Sequence, residues 1–169
     1  MTINFRTIVL GVAIAVAVYT SPAGAQQVLK PEDTARIKGD VDAAMQNYVT
    51  AFNRSDSKSI ANNSFTSPSV AMGPNGVSTR TPEQIDQQYA DTTKRLAETG
   101  WVKSVGGRYS ICVINANTAL FNGRFDRVRK DGSVMTETAT TYLFTKGKDG
   151  WRIAALFGHA IDKVITCSE

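Results

Sequence analysis

The 169-residue sequence contains a single histidine, His159, and only two cysteines, Cys112 and Cys167. Structural zinc sites need four closely spaced Cys or His ligands, so this scarcity excludes them, and we expect neither a metal site nor a cofactor. Runs of basic residues are missing too, because the 19 Lys and Arg are interspersed with 15 Asp and Glu. The formal charge of +4 therefore forms no basic patch, and we expect no nucleic-acid partner.

Long hydrophobic runs are also scarce. The longest, Ile8–Val18, falls well short of the ~20 residues that a membrane-spanning helix needs. Arg6 precedes this run and the small residues Ala23–Ala25 follow it, an order typical of a secretory signal peptide and its cleavage site. We therefore predict a signal peptide over residues 1–25 and one domain over residues 26–169, periplasmic or secreted and free of the membrane after cleavage. An uncleaved N-terminal anchor is the alternative.

Export gives the two cysteines a specific meaning. In an oxidising compartment, two cysteines in a small domain most often pair. A Cys112–Cys167 disulfide would fasten the C-terminal tail to an early strand of the sheet. The alternative is a pair of free thiols, one buried and one exposed.

The first half of the predicted domain has the pattern of helices. Pro31 and the acids that follow it favour a helix start, and apolar residues at steps of three and four then predict an amphipathic helix. Thr81 before Pro82 is a second start signal, and Gly100 is the matching stop signal. The predicted helices run from Pro31 to near Asn53, from a Ser55-Asp56 cap through Ile60, and from Pro82 to Gly100.

The second half alternates between apolar and polar residues, as strands do. Asp131-Gly132 and Asp149-Gly150 separate the alternating runs and predict tight hairpin turns. One or two strands are predicted over residues 101–116, with a bulge or bend at Gly106-Gly107, and single strands over residues 118–130, 133–146 and 151–159. A short strand and a loop are predicted between residues 64 and 80. Helices followed by strands indicate an α+β fold, in which a curved antiparallel sheet wraps around the long N-terminal helix with two further helices.

Two stretches carry a resemblance to a known superfamily. Tyr48–Asp56 ends the first helix and Gly150–Ala154 opens the last strand, with Gly123-Arg124 and Phe144 between them. In this order and spacing they resemble the nuclear-transport-factor-2-like, or SnoaL-like, superfamily. The resemblance implies a cone, a cystatin-like roll, with a pocket between the long helix and the concave face of the sheet. Its members include isomerases, dehydratases, epoxide hydrolases, polyketide cyclases and proteins without activity, so the fold implies no reaction.

His159 is the first candidate for chemistry. Strand alternation predicts one shared face for Trp151, Ile153, Ala155, Phe157 and His159. If that face points to the core, His159 lies at the mouth of the pocket, where it could act as a general base near neutral pH. The alternative is a partly buried histidine bonded to a backbone carbonyl.

Tyr48 is the second candidate, and its role comes from the resemblance. It matches the tyrosine that donates to the developing enolate in the ketosteroid isomerase branch. The positions matching that branch's general base and partner acid are Gly73 and Thr140, so isomerase chemistry of that kind is not expected. The alternative is a phenol that packs in the core or lines the pocket.

The aromatic content predicts a wall for an apolar or planar small molecule. Arg124 could hold an anionic group of such a ligand, and the alternative is an arginine on a solvated outer face. The predicted ligand-binding residues are Tyr89, Trp101, Phe121, Phe125, Tyr142, Phe157 and Arg124.

These residues support two functions. The first is an exported protein that binds a small apolar or aromatic molecule without a catalytic step. The second is a SnoaL-like hydrolase, isomerase or cyclase that uses His159 with Tyr48. A structural or partner-binding homodimer that pairs through the sheet is a third expectation.

Overall fold

The computed structural model describes residues 28–73, 76–163 and 165–167, and the predicted signal peptide at residues 1–25 lies outside them. Helix α1 (Pro31–Asn53) begins with Pro31, and Glu32 and Asp33 lie in its first turn. Apolar side chains at steps of three and four are buried along one side of it: Ile37, Val41, Met45, Tyr48 and Phe52. The long amphipathic helix is therefore confirmed.

Two shorter helical segments follow, each with its own cap. The Asp56 side chain accepts a hydrogen bond from the Ser59 amide and opens α2 (Ser57–Ser59), which continues as a π-helical turn (Ile60–Ser64). Thr81 and Gln84 form a capping box at the start of α3 (Pro82–Glu98). These caps lie where the sequence predicts helix starts.

Six strands form one curved, unclosed sheet in the order β2-β1-β6-β5-β4-β3. The strands are β1 (Phe65–Gly73), β2 (Gly76–Arg80), β3 (Trp101–Asn115), β4 (Thr118–Arg129), β5 (Val134–Gly147) and β6 (Gly150–His159). Neighbouring strands are antiparallel except β1 and β6, which are parallel. The helices and the sheet together give the predicted α+β fold.

Local turn signals set the hairpins of this sheet. Gly132 and Gly150 have φ angles of 85° and 92°, which a glycine adopts without strain, at the two predicted turns. The pairing of β3 with β4 shifts register between Gly106 and Tyr109, where a bulge was expected. The region from 64 to 80 differs from the prediction, because both of its halves are strands. Pro68 lies in the stretch where β1 and β6 lose register, which accommodates its missing amide hydrogen.

A bulge in β6 decides which of its side chains face the helices. Ile153 pairs with Phe144 and Ala155 pairs with Leu143, so Ala154 is an extra residue on β6. An extra residue reverses the alternation of every side chain that follows it. The inner face therefore continues through Leu156 rather than Ala155.

The prediction that the odd-numbered residues of β6 share one face is consequently wrong beyond the bulge. Trp151 and Ile153 pack in the core as expected. Beyond them, Leu156 and Gly158 pair with Tyr142 and Thr140 on the inner face. Ala155, Phe157 and His159 alternate with them and lie on the opposite face of the strand.

The C-terminal tail crosses the outer face of the sheet. Cys112 and Cys167 form a disulfide, with their Cα atoms 5.5 Å apart. The carbonyl oxygen of Ile165 accepts hydrogen bonds from Asn122 Nδ2 at 2.6 Å and Ser110 Oγ at 3.1 Å. The tail thus supplies one acceptor to two side-chain donors of the sheet, Asn122 Nδ2 and Ser110 Oγ. Among the described helices, none is both long and apolar enough to cross a membrane.

Candidate functional site

A cavity of about 640 Å³ lies between α1, α3 and the inner face of the sheet, partly open to solvent. We call it the aromatic cavity. Its aromatic wall consists of Tyr48 and Phe52 from α1, Tyr89 from α3, Phe125 from β4 and Tyr142 from β5. Each side chain lies on the buried side of its own element, so the amphipathic patterns of the helices and strands build the wall.

Three buried tyrosines meet in this wall. The hydroxyl oxygens of Tyr48 and Tyr89 are 3.0 Å apart, within hydrogen-bond distance. The Tyr48 ring lies edge-on to both neighbours, with centroid distances of 5.9 Å to Tyr89 and 5.7 Å to Tyr142. Such edge-to-face contacts are favourable for aromatic rings and hold the phenols in place.

Burial raises the pKa of each of these phenols above its usual value. For Tyr48, burial is the main cause, and the neighbouring Tyr142 and Tyr89 add to it. Burial likewise raises the pKa of Tyr89 and of Tyr142, because a phenolate loses its solvation there. All three are therefore neutral near pH 7 and can give or take hydrogen bonds with a ligand, but they are poor bases.

His159 borders the same cavity, but both of its ring nitrogens have partners elsewhere. Nδ1 lies 2.9 Å from the carbonyl oxygen of Ala160, to which it can donate. Nε2 lies 3.1 Å from Thr141 Oγ1 and 3.2 Å from Asn122 Oδ1. The Thr141 hydroxyl donates to Asn122 Oδ1 at 2.8 Å, so both neighbours of Nε2 turn acceptor oxygens toward it.

No carboxylate of the described ranges is among the hydrogen-bond partners of His159. Asn122 Oδ1 is fixed as an acceptor because its Nδ2 donates to the tail. The imidazole is thus held by a carbonyl, an amide and a hydroxyl on the outer side of the sheet. This arrangement matches the alternative reading of His159 from the sequence, a histidine bonded to a backbone carbonyl.

Arg124 and Phe157 lie away from the aromatic cavity, which corrects their expected place in its wall. Arg124 Nη2 donates to the carbonyl oxygen of Ile161 in the tail. Phe157 pairs with Thr141 across β5 and β6 and shares the register of His159 beyond the bulge. Both therefore belong to the outer face of the sheet, under or beside the tail.

Trp101 and Phe121 are buried next to the wall rather than in it. The Trp101 ring lies 5.5 Å from that of Phe52, and its Nε1 donates to Ser104 Oγ at 3.2 Å. Phe121 stacks on Tyr109 with centroids 4.9 Å apart. These two rings support the cavity from behind.

Sequence reasoning missed several polar residues that border the cavity, among them Gln88, Thr92, Arg127 and Glu137. The signal for Arg127 was present, because residues two apart on a strand share a face. Phe125 faces the cavity, so Arg127 does too, and Arg124 does not. Gln88 and Thr92 had no comparable signal, since polar residues on a helix normally face solvent.

A second cavity of about 630 Å³ lies on another side of α1 and has a polar wall. Its lining includes Asp40, Asn47, Arg54, Asp56, Lys146 and Trp151. We call it the polar cavity. In the described ranges, no group of three or more His, Cys, Asp or Glu side chains is arranged to hold a metal ion.

Comparison with protein families shows a match over most of the chain. A family model described as "NTF2-like protein (DUF6841)" matches residues 38–161. This range begins in α1 and ends in the tail, so it includes every strand and every wall residue of the aromatic cavity. No protein of curated function matches the chain.

Solved structures share the fold at low sequence identity. An NTF2-like protein with a cystatin-like fold from Novosphingobium aromaticivorans has a TM-score of 0.61 at 14% identity, covering 82% of this chain and 93% of that chain. An NTF2-like superfamily protein from Salmonella enterica serovar Typhimurium has a TM-score of 0.55 at 21% identity, covering 75% and 92%. A cystatin-like domain of unknown function from Nostoc punctiforme has a TM-score of 0.59 at 16% identity, covering 79% and 82%. At these identities the likeness shows the fold alone.

Proposed function

The chain belongs to the NTF2-like protein family DUF6841, and on that premise we propose that it binds a small apolar or aromatic molecule in the aromatic cavity without a catalytic step. The observation that carries this proposal is the wall itself, in which Tyr48, Phe52, Tyr89, Phe125 and Tyr142 converge on one open space. The volume of about 640 Å³ lies within the range of ligand pockets, roughly 300–1,000 Å³. Neutral phenols in such a wall orient a planar ligand through hydrogen bonds.

The absence of a catalytic step is supported by the partners of the candidate base. A general base needs a lone pair within reach of the substrate. The ring nitrogens of His159 are instead engaged with Ala160, Thr141 and Asn122. The alternative function, a hydrolase, isomerase or cyclase that uses His159 with Tyr48, would require these bonds to break in the complex.

We further propose that the protein is exported and works in the periplasm or outside the cell. The disulfide between Cys112 and Cys167 supports an oxidising compartment. The predicted signal peptide over residues 1–25 gives the route, with residues 26–169 as the mature domain. A homodimer that pairs through the sheet stays a prediction, and the tail across the outer face restricts where a second copy can pack.

The binding proposal is tested by filling the cavity. Gly158 borders the aromatic cavity, and a Cβ added there would approach only the Ala139 carbonyl oxygen, at an ordinary 3.8 Å. We expect Gly158→Leu to fold and to lose affinity for naphthamide, a neutral planar probe, by at least about tenfold, because a branched side chain would occupy the ligand's space. Isothermal titration calorimetry measures the affinity.

Gly147→Leu is the matched control. Gly147 lies at the far end of β5, and a Cβ added there meets nothing within 4 Å. We expect this variant to bind naphthamide as the wild-type protein does. Equal affinity in all three proteins, or no binding to the wild-type protein, would contradict the proposal. If the wild-type protein turns over a substrate and His159→Ala folds but does not, the result would favour the alternative function, a hydrolase, isomerase or cyclase.

A further inference from the structure

Arg80, the last residue of β2, is a buried cation without an acidic partner. Its exposed fraction is only 7%, and none of the ion pairs between described residues includes it. Its Nη1 donates to Gln88 Oε1 at 2.8 Å, and its Cζ lies 5.4 Å from the centroid of the Phe65 ring. A neutral amide and a ring face do not neutralise a guanidinium, which is costly to bury without an anion.

The unpartnered part of Arg80 has the shape of a carboxylate site. Nε and Nη2 are buried and make no hydrogen bond to any described residue. Their N–H groups point in parallel from one edge of the guanidinium, which is the fork that a carboxylate accepts in a bidentate pair. Ser69 lies directly opposite Arg80 in the β1–β2 hairpin, is fully buried, and its Oγ also has no partner. The site thus offers the N–H groups of Nε and Nη2 and the Ser69 hydroxyl, none of which has a hydrogen-bond partner among the described residues.

This site lies directly behind the wall of the aromatic cavity. Gln88, which accepts from Arg80, is an exposed side chain that borders the cavity. The Phe65 ring under the guanidinium lies 5.8 Å from that of Tyr89 and 6.0 Å from that of Tyr48. The charge of Arg80 reaches the wall, because it opposes the rise that burial causes in the pKa of Tyr89.

We propose that Arg80 is the anion-binding residue of the aromatic cavity and that the ligand is an aromatic or apolar carboxylic acid. The proposal rests on the proposed function and specifies its ligand. The carboxylate accepts from Nε and Nη2 of Arg80 and from the Ser69 hydroxyl, while the apolar part lies against Tyr89 and its neighbours. Gln88 bonds Nη1 rather than this edge, and as the cavity-side partner of Arg80 it must shift to open a path to the edge.

Two other arginines, Arg127 and Arg124, are less suited to bind the anion. Arg127 borders the aromatic cavity but is only half-buried, so water already solvates its charge. Arg124 is tied to the Ile161 carbonyl on the outer face. Arg80 alone among these three combines burial with two unpartnered donors.

Paired probes test the proposal. Naphthoic acid, ionised at neutral pH, and naphthamide have the same shape and differ in charge. We expect the wild-type protein to bind naphthoate at least about tenfold more tightly than naphthamide. Two hydrogen bonds between a guanidinium and a carboxylate are stronger than those between a guanidinium and a neutral amide. Arg80→Gln should abolish this preference by weakening the binding of naphthoate at least about tenfold. Arg80→Lys, which keeps the charge but loses the fork, should retain only part of the preference.

Arg129→Gln is the matched control, since it removes the same charge at an exposed position, and Arg127→Gln tests the competing cation at the border of the cavity. Both should keep the preference for naphthoate. Equal affinity of the wild-type protein for the two probes would overturn the anion site and leave the cavity proposal standing. A preference that survives in Arg80→Gln, or disappears in Arg127→Gln, would also overturn it. Failure of both probes to bind would overturn the cavity proposal and this one together.

A stability measurement separates ligand binding from a structural role. If Arg80 serves a ligand, its unpaired charge destabilises the free protein, and Arg80→Met should melt at the same or a higher temperature than the wild-type protein without ligand. A clear fall in the melting temperature of Arg80→Met, relative to Arg129→Gln, would show that the guanidinium supports the fold and would contradict the proposal.

Discussion

The aromatic wall depends on a missing side chain at Gly123. A Cβ placed there would lie 2.6 Å from Phe121 Cε1 and 3.4 Å from both Phe125 Cε2 and the Cβ of Tyr109. The Phe121 ring cannot move away easily, because it stacks on Tyr109 and is 2% exposed. The rings therefore pack over bare backbone at this point of β4.

We expect Gly123→Ala to lower the free energy of unfolding by about 1–3 kcal/mol, because overpacking displaces the Phe121 ring. Gly39→Ala is the control, since a Cβ at this helical position meets nothing within 4 Å. It should raise the same quantity by roughly 0.5–1 kcal/mol through helix propensity. Urea unfolding measures both free energies. An unchanged free energy of unfolding in Gly123→Ala would show that the rings repack freely and would contradict this prediction.

The buried phenols predict how stability changes with pH. Their raised pKa values mean that the folded state keeps the phenol protons above about pH 10, where the unfolded chain releases them. The stabilisation is complete below that pH and is lost as the pH rises toward the folded-state pKa. Each such phenol lowers the free energy of unfolding by about 1.4 kcal/mol per pH unit in that range.

Tyr142→Phe removes one of these protons. Between about pH 10 and 11, the free energy of unfolding of this variant should fall less steeply than that of the wild-type protein, by up to about 1.4 kcal/mol per pH unit. Urea unfolding at a series of pH values gives both slopes. Identical slopes would mean that Tyr142 ionises in the folded protein as it does in the unfolded chain.

At the scale of the element, local signals in the sequence were sufficient for helix ends and turns. The Thr81 cap, the Asp56 cap and the turn glycines act through neighbouring backbone groups, so the residues that cause them are adjacent in sequence. The bulge at Ala154 has no such signal, because neither glycine nor proline marks it. It follows from the simultaneous pairing of β6 with β1 and β5, which a single strand does not encode.

The bulge, which the sequence does not signal, also explains which candidate residues border the cavity and which do not. Tyr48, Tyr89, Phe125 and Tyr142 border the cavity because their elements keep a regular period up to that point. His159 lies beyond the bulge in β6, so its predicted side of the sheet was wrong. Arg80 ends a strand that the sequence presented as a loop, so its burial could not be foreseen.

The tail is the element whose attachment is most directly testable. The disulfide closes a loop with a sequence separation of 55, which in the chain-entropy model stabilises the fold by about 4 kcal/mol. Reduction should lower the free energy of unfolding by up to that amount. It should also speed trypsin cleavage after Lys163, whose side chain is already exposed, because the freed backbone can enter the protease. A Cys112→Ser/Cys167→Ser variant, already without the bond, is the control and should not respond to reductant. Unchanged stability and protease resistance after reduction would contradict this account.

At the scale of the whole molecule, the order of helices and strands predicted the α+β class, and the resemblance to the superfamily implied the cone. An amphipathic helix and a meander of long strands must bury their apolar faces against each other, which leaves few arrangements. What the pattern leaves open is the space that remains between them. Its volume and its wall depend on how rings from α1, α3, β4 and β5 meet, and only the folded chain determines that.

The most direct test of the central claim is a methyl NMR titration of the protein with naphthamide. Val49 and Leu156 border the aromatic cavity, whereas Ala43 and Ala44 border the polar cavity of similar volume. We predict saturable shifts at Val49 and Leu156 and none at the two alanines. Shifts confined to Ala43 and Ala44, or absent from all four residues, would contradict the assignment of the aromatic cavity as the ligand site.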